Sequence, residues 1–239
     1  MRILITNDDG IDAVGIKMMA SFAKTLGEVT VVAPKVEQSG KSHAIDFMRQ
    51  IEIKPVELME GVEAYSMDST PADCVRFGIL GLKRKYDLVI SGINKGVNLG
   101  ADLVYSGTVG AIFEAGRLNT PGIAFSAFFD GQREAEKYFA DVFKFIEENK
   151  LLDVCPLYNV NIPKESKGIR ITYQGSPYFS DDFVRAEGDM FEQIGAYIKD
   201  ERPEDIDRDT VALHEGYISI TPLLTTRTDF EAYRKLKNK

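Results

Sequence analysis

Short apolar runs alternate with helical periodicity through the first two thirds of the chain. Residues 2–6, 29–33, 86–91, 122–126 and 157–162 are short apolar stretches of the kind that forms buried strands. Between the first two, Val14, Met18, Met19, Phe22 and Leu26 recur at helical spacing, with Gly27 as the expected end of the helix. Thr70-Pro71-Ala72-Asp73 is a helix start: Thr70 caps, Pro71 fits the first turn, and Asp73 suits the positive end of the dipole. That helix is expected to reach about Leu82. Further helices are predicted over about 108–117 and 134–148, the latter with Ala135, Phe139, Val142, Phe143 and Ile146 on one face. Residues near 49–54 and 62–66 alternate weakly and predict an extra hairpin. The βαβ rhythm predicts an α/β fold with a mostly parallel sheet and helices on both faces.

After about residue 165 the rhythm breaks. Segment 174–210 is polar and acidic and reads as long loops or an arm, 217–222 as a late strand, and 228–237 as a terminal basic helix.

Composition narrows the function. The 239 residues suit one large domain, or one with an appended subdomain. The net charge of −8 lacks the basic footprint that duplex nucleic acid or an anionic membrane demands. A small anion remains bindable through backbone N–H groups or a local cation. Cys74 and Cys155 sit in apolar contexts and read as buried thiols. The two histidines, His43 and His214, are too few for a zinc site and argue against a Ser-His-Asp hydrolase. No signal peptide or run of about 20 apolar residues is seen, so a cytoplasmic protein is expected.

Four polar stretches follow predicted strands or open a helix: Asn7-Asp8-Asp9-Gly10, Gln38 to Ser42, Ser91 to Asn98, and Tyr105 to Gly110. Each also has an ordinary reading. Asp-Asp-Gly is turn chemistry, Ser106 and Thr108 suit a helix cap, and Asn94 and Asn98 are common in turns. In a parallel sheet, however, all strand carboxyl ends lie on one edge, so these loops are expected to converge. Two carboxylates, a hydroxyl and an amide carbonyl are hard oxygen donors for Mg²⁺ or Mn²⁺. Ser106, Gly107 and Thr108 at a helix start offer hydroxyls and N–H groups to an anion. A cation beside such a site points to phosphoryl chemistry.

These stretches, with Val31-Val32-Ala33-Pro34, Thr70 to Val75, Asn98-Leu99-Gly100, Asn159 to Pro163 and Gly216 to Pro222, resemble the survival protein E (SurE) family of metal-dependent nucleotide phosphatases over nearly the whole chain. The resemblance implies a Rossmann-like catalytic core, here residues 1–165, and a C-terminal extension, 166–239, of the same domain, exchanged between subunits in a homodimer or homotetramer. It implies one divalent cation per subunit, Mg²⁺ or Mn²⁺, held by Asp8, Asp9, Ser39 and Asn94. Phosphate would be held by Asn98, Ser106, Gly107 and Thr108. The implied reaction is hydrolysis of a nucleoside 5′-monophosphate, with 3′-nucleotides and short polyphosphate as further substrates. Attack by water is expected, with Asp8 orienting or deprotonating it; an aspartyl-phosphate on Asp8 is the competing route. Ala101 stands where the family usually has an acid, and Phe113-Glu114-Ala115-Gly116 departs from its usual Met-Glu-Gly. A non-catalytic phospho-receiver or nucleotide sensor is the alternative, but it needs an acceptor Asp after the third strand, where Ser91 and Asn94 stand.

Overall fold

A computed structural model describes residues 1–237. Among them the strands are β1 (Arg2–Thr6), β2 (Glu28–Pro34), β3 (Ile53–Val56), β4 (Glu63–Met67), β5 (Leu88–Lys95), β6 (Gly122–Ala127), β7 (Leu157–Ile162), β8 (Ile169–Ile171), β9 (Phe179–Arg185), β10 (Phe191–Tyr197) and β11 (Ile218–Pro222). The helices are α1 (Val14–Ala23), α2 (Pro71–Arg76, continued by a π-helical turn over Phe77–Gly81), α3 (Gly107–Arg117), α4 (Gln132–Ala135), α5 (Phe139–Glu148), α6 (Leu151–Val154), α7 (Asp209–His214) and α8 (Phe230–Lys237).

Nine strands form one sheet in the order β3-β4-β2-β1-β5-β6-β7-β11-β8. The run β4-β2-β1-β5-β6-β7 is parallel throughout, while β3 and β11 pair antiparallel to β4 and β7. Strand order therefore reverses between β1 and β5, the crevice at which open α/β sheets bind ligands. Successive side chains point to opposite faces. Ile3, Ile5 and Val31 pack with Ile16 and Met19 of α1 and Phe139 of α5, whereas Leu4, Val32 and Val89 pack with Cys74 and Val75 of α2 and Ala111 of α3. Burial on both faces explains why β6 and β7 are buried at every position.

Four local details differ from the sequence reading. Helix α1 ends at Ala23, four residues before Gly27. The predicted 134–148 helix is α4, a 3₁₀ turn at Glu136–Tyr138 and α5 in series. The third predicted strand does not stop at Ser91. It continues to Lys95 through a bulge between Ser91 and Asn94, with Gly92 at φ +124°. A Cβ on Gly92 would lie 2.2 Å from the Phe125 carbonyl oxygen, so only glycine lets β5 bend there and carry Asn94 onto the sheet edge. Finally, 174–210 contains a β9–β10 hairpin whose strand residues are all exposed. With no buried face to impose alternation, the sequence carries little strand signal there.

The bulge is braced from α1. A Cβ on Gly15 would lie 2.2 Å from the Ile93 carbonyl oxygen and 2.7 Å from Gln132 Nε2. Because the obstacle is backbone, Gly15→Ala is expected to destabilise the fold by about 1–3 kcal/mol. Chemical denaturation tests this, and an unchanged midpoint would show the contact to be slack.

Candidate active site

The turn after β1 is closed by Asn7, whose Nδ2 donates to the Gly10 carbonyl at 2.9 Å. This sets Asp8 against the start of α3. Thr108 Oγ1 donates to Asp8 Oδ1 at 2.6 Å, and the Thr108 N–H donates to Oδ2 at 3.2 Å. The Gln38 N–H donates to the Asp8 carbonyl at 2.7 Å and draws in the loop after β2. A cavity of about 320 Å³ results, lined by Asp8, Ser39, Asn94, Asn98 and Ser106 from all four predicted stretches. Asp9 lies on a second cavity of about 460 Å³ with Glu37, Lys95 and Phe129. Its Oδ2 accepts the Lys95 N–H at 3.0 Å, which ties it to the end of β5.

The acid pair is electrostatically costly. Burial pushes the Asp8 carboxyl up to about 6, against the Thr108 hydrogen bond that favours ionisation, and the charge of Asp9 adds to the rise. Burial also raises Asp9, opposed by the Lys95 N–H. Among the described residues the three donors to these carboxylates are uncharged N–H and O–H groups, so neither charge is neutralised by a bonded cation. Ser39 Oγ donates to Glu37 Oε1 at 2.6 Å and keeps its lone pairs. Asn94 Nδ2 donates to the Gly96 carbonyl at 2.8 Å, leaving its oxygen available. Two carboxylates, a hydroxyl and an amide oxygen fit a hard divalent cation. Among the described residues no group of three or more His, Cys, Asp and Glu side chains is placed to hold a metal. The donor set thus depends on the neutral oxygens of Ser39 and Asn94. Gly107 keeps the site open, since a Cβ there would press within 3.1 Å of Asp8 Oδ2.

The expected anion site divides into two roles. Ser106 caps α3, its Oγ accepting the Val109 N–H at 3.1 Å, and lines the cavity. The Gly107 N–H makes no hydrogen bond among the described residues, which leaves the first amide of α3 for an anion. Thr108 is fully buried and spends both donors on Asp8. Asn98 is pinned from below. Its N–H donates to Asn161 Oδ1, its carbonyl accepts from Asn159 and Asn161 Nδ2, and its own Nδ2 donates to Ser126, all within 2.8–2.9 Å. The two asparagines of β7 therefore hold this loop in place.

His43 lies away from this cavity: Nε2 is 2.8 Å from Oε2 of Glu114, a buried residue of α3. Glu114 also accepts from Arg76 and Arg117. Lys95 Nζ sits 4.0 Å from the centre of the Phe129 ring. Sequence reasoning missed Glu37, the partner of Ser39, and three further residues that line the cavity with Asp8: Asp102, Phe179 and Asp181. Glu37 was within reach as an acid two positions before Ser39, but no motif marks the hairpin residues.

A family model described as "Survival protein SurE" matches residues 3–181. A curated relative from Caldanaerobacter subterraneus subsp. tengcongensis, named 5′-nucleotidase SurE, is 39% identical over 246 residues, covering 99% of this chain and 96% of the relative. One of the same name from Thermosipho melanesiensis is 37% identical over 250 residues, covering 100% and 97%. The crystal structure of the SurE protein from Aquifex aeolicus is similar with a TM-score of 0.84 at 33% identity, covering 100% of this chain and 99% of that one. A sheet that reverses order at the acid pair, a cavity built from the motif loops, and likeness along the full length lead to one conclusion: the chain belongs to the SurE family.

Proposed function

We propose that this chain is a divalent-cation-dependent 5′-nucleotidase that hydrolyses nucleoside 5′-monophosphates to nucleoside and phosphate. The observation that carries the reading is the meeting of Asp8, Ser39, Asn94 and Ser106, from four distant loops, on one cavity at the switch point of the sheet. The curated relatives named 5′-nucleotidase support the reaction class.

In this reading Asp8, Asp9, Ser39 and Asn94 hold one Mg²⁺ or Mn²⁺. The bound ion supplies positive charge against the phosphoryl oxygens and lowers the pKa of water. Ser106, the Gly107 N–H and the Asn98 loop hold the phosphate so that its charge is met by fixed donors. Thr108 acts on the same phosphate through Asp8, whose carboxylate it fixes with two hydrogen bonds. Asp8 so held orients, or takes the proton from, the water that attacks phosphorus in line with the leaving 5′-oxygen. Water is preferred to an aspartyl-phosphate because both Asp8 oxygens accept hydrogen bonds from Thr108, which lowers their nucleophilicity. Activity on 3′-nucleotides and short polyphosphate belongs to the same reading.

So does assembly into a homodimer or homotetramer, supported by the exposed apolar side chains of Phe183 and Phe191 on the hairpin and Tyr233 and Leu236 on α8. Cytoplasmic residence is supported by the free thiols of Cys74 and Cys155. Among the described residues no helix is long and apolar enough to cross a membrane.

The test is phosphate release from AMP and GMP, with polyphosphate alongside, before and after chelation. Activity is expected to vanish with chelator and to return with Mg²⁺ or Mn²⁺. Absence of release from every mononucleotide with every metal would overturn the reading, and full activity in chelator would remove the cation from it.

A further inference from the structure

We propose that Tyr105 and Phe179 form the nucleobase-binding end of the cavity, so that the β9–β10 hairpin selects nucleotides over other phosphomonoesters. The proposal rests on the nucleotidase reading and adds a specificity element to it. A nucleoside monophosphate has a charged end and a flat aromatic end, and the cavity has the same polarity. Asp8, Ser39, Asn94 and Ser106 supply the polar end, and Tyr105 and Phe179 line the same space. Tyr105 is 59% exposed and Phe179 46% exposed, so both rings have free surface to offer. Stacking on such a ring tolerates any base, because every base has a π-face.

The rings are held from behind. Asp102 Oδ2 accepts the N–H groups of Tyr178 and Phe179 at 2.6 and 2.8 Å, fastening the root of β9 to the turn that leads into Ser106. The Tyr178 ring packs edge-on to Phe179, with centres 5.0 Å apart, and against Tyr197 of β10 at 4.7 Å. The Asp209 carboxylate takes the Gly100 N–H at the start of that turn and the Gly175 N–H ahead of β9. The Tyr105 carbonyl accepts the Ser42 N–H at 3.0 Å, which ties this residue to the Ser39 loop. The hairpin and the phosphate-binding helix start are thus one connected unit. Asp181, also on the cavity, adds a carboxylate able to accept from a ribose hydroxyl or an exocyclic amino group.

Phe129 is the competing aromatic residue. Its ring is already covered by Lys95 Nζ, and its cavity shares Asp9 with the candidate site but contains none of Asp8, Ser39, Asn94 and Ser106.

The test compares two product-like ligands, adenosine and inorganic phosphate, by calorimetric binding and as inhibitors of AMP hydrolysis. In Phe179→Ala and Tyr105→Ala the ratio of the adenosine constant to the phosphate constant is expected to rise about 10-fold or more over the unsubstituted protein. Phe179→Trp is expected to restore it. Asp102→Ala is expected to raise it in the same sense, because the Phe179 N–H loses its acceptor, and Phe129→Ala to leave it unchanged. Equal weakening of both ligands in Phe179→Ala, or an unchanged ratio, would overturn the proposal. So would a rise in Phe129→Ala in place of Phe179→Ala. If the unsubstituted protein binds adenosine but releases no phosphate from AMP, the nucleotidase reading fails, while the binding ratio still decides the role of the two rings.

Discussion

Replacing Asp8 by asparagine should lower kcat/KM for AMP by about 10³-fold, the ~4 kcal/mol expected when a ligand carboxylate leaves a cation site. The substitution isolates charge from shape. Asparagine keeps an oxygen to accept the Thr108 hydroxyl, so one of the two bonds that orient the side chain survives. Because Asp8 is only 4% exposed and its burial disfavours the charged form, the metal-free variant should be no less stable than the unsubstituted protein. The pair of measurements is decisive. Thermal melts with and without Mn²⁺ should show metal-induced stabilisation in the unsubstituted protein and its loss in Asp8→Asn, alongside the fall in turnover. Near-normal turnover at saturating metal would remove Asp8 from the mechanism.

A second large effect is expected outside the cavity, at Glu114. This carboxylate is 2% exposed and receives His43, Arg117 and Arg76 from the loop after β2, from its own helix and from α2. Burial alone would raise its pKa, but the hydrogen bonds from His43, Arg117 and Arg76 outweigh burial and hold it at about 2. A carboxyl that is more acidic folded than unfolded contributes stability that is complete above the unfolded value of 4.5. That stability is lost as pH falls from there through about 2. The contribution is on the order of 3 kcal/mol. Glu114→Gln should therefore destabilise the protein by about 2–4 kcal/mol at neutral pH, since it strands the cations that converge there. It should also flatten the decline in stability between pH 4.5 and 2. Urea midpoints across that range, for both proteins, give the answer. Parallel acid profiles would show that other carboxylates govern acid unfolding.

These two residues mark the boundary between what can be read from the sequence and what cannot. Asp8 is legible because its signal is local: a short apolar run followed by acids fixes both a strand and its carboxyl end. The same logic reached Ser39, Asn94 and Ser106, each in a stretch that follows a strand or opens a helix. Glu114 sits mid-helix among ordinary helix residues. Its importance comes from Arg76, 38 positions before it, and His43, 71 positions before it, and neither spacing leaves a pattern in the chain. Adjacency in sequence also hid a difference in support, since Asp8 is held by Thr108 at the start of α3 and Asp9 by the Lys95 N–H at the end of β5.

The sequence by itself determined the α/β class, the parallel core and the rim on which the candidate site lies, because hydrophobic periodicity and strand-end chemistry are encoded within a few neighbouring residues. Tertiary structure alone decided that Thr108 faces Asp8, that β5 bulges to present Asn94, and that a wholly exposed hairpin brings Phe179 to the cavity. Those outcomes depend on close approach between segments tens of residues apart, where the deciding quantities are the room left by a glycine or the reach of one carboxylate, and no local pattern records either.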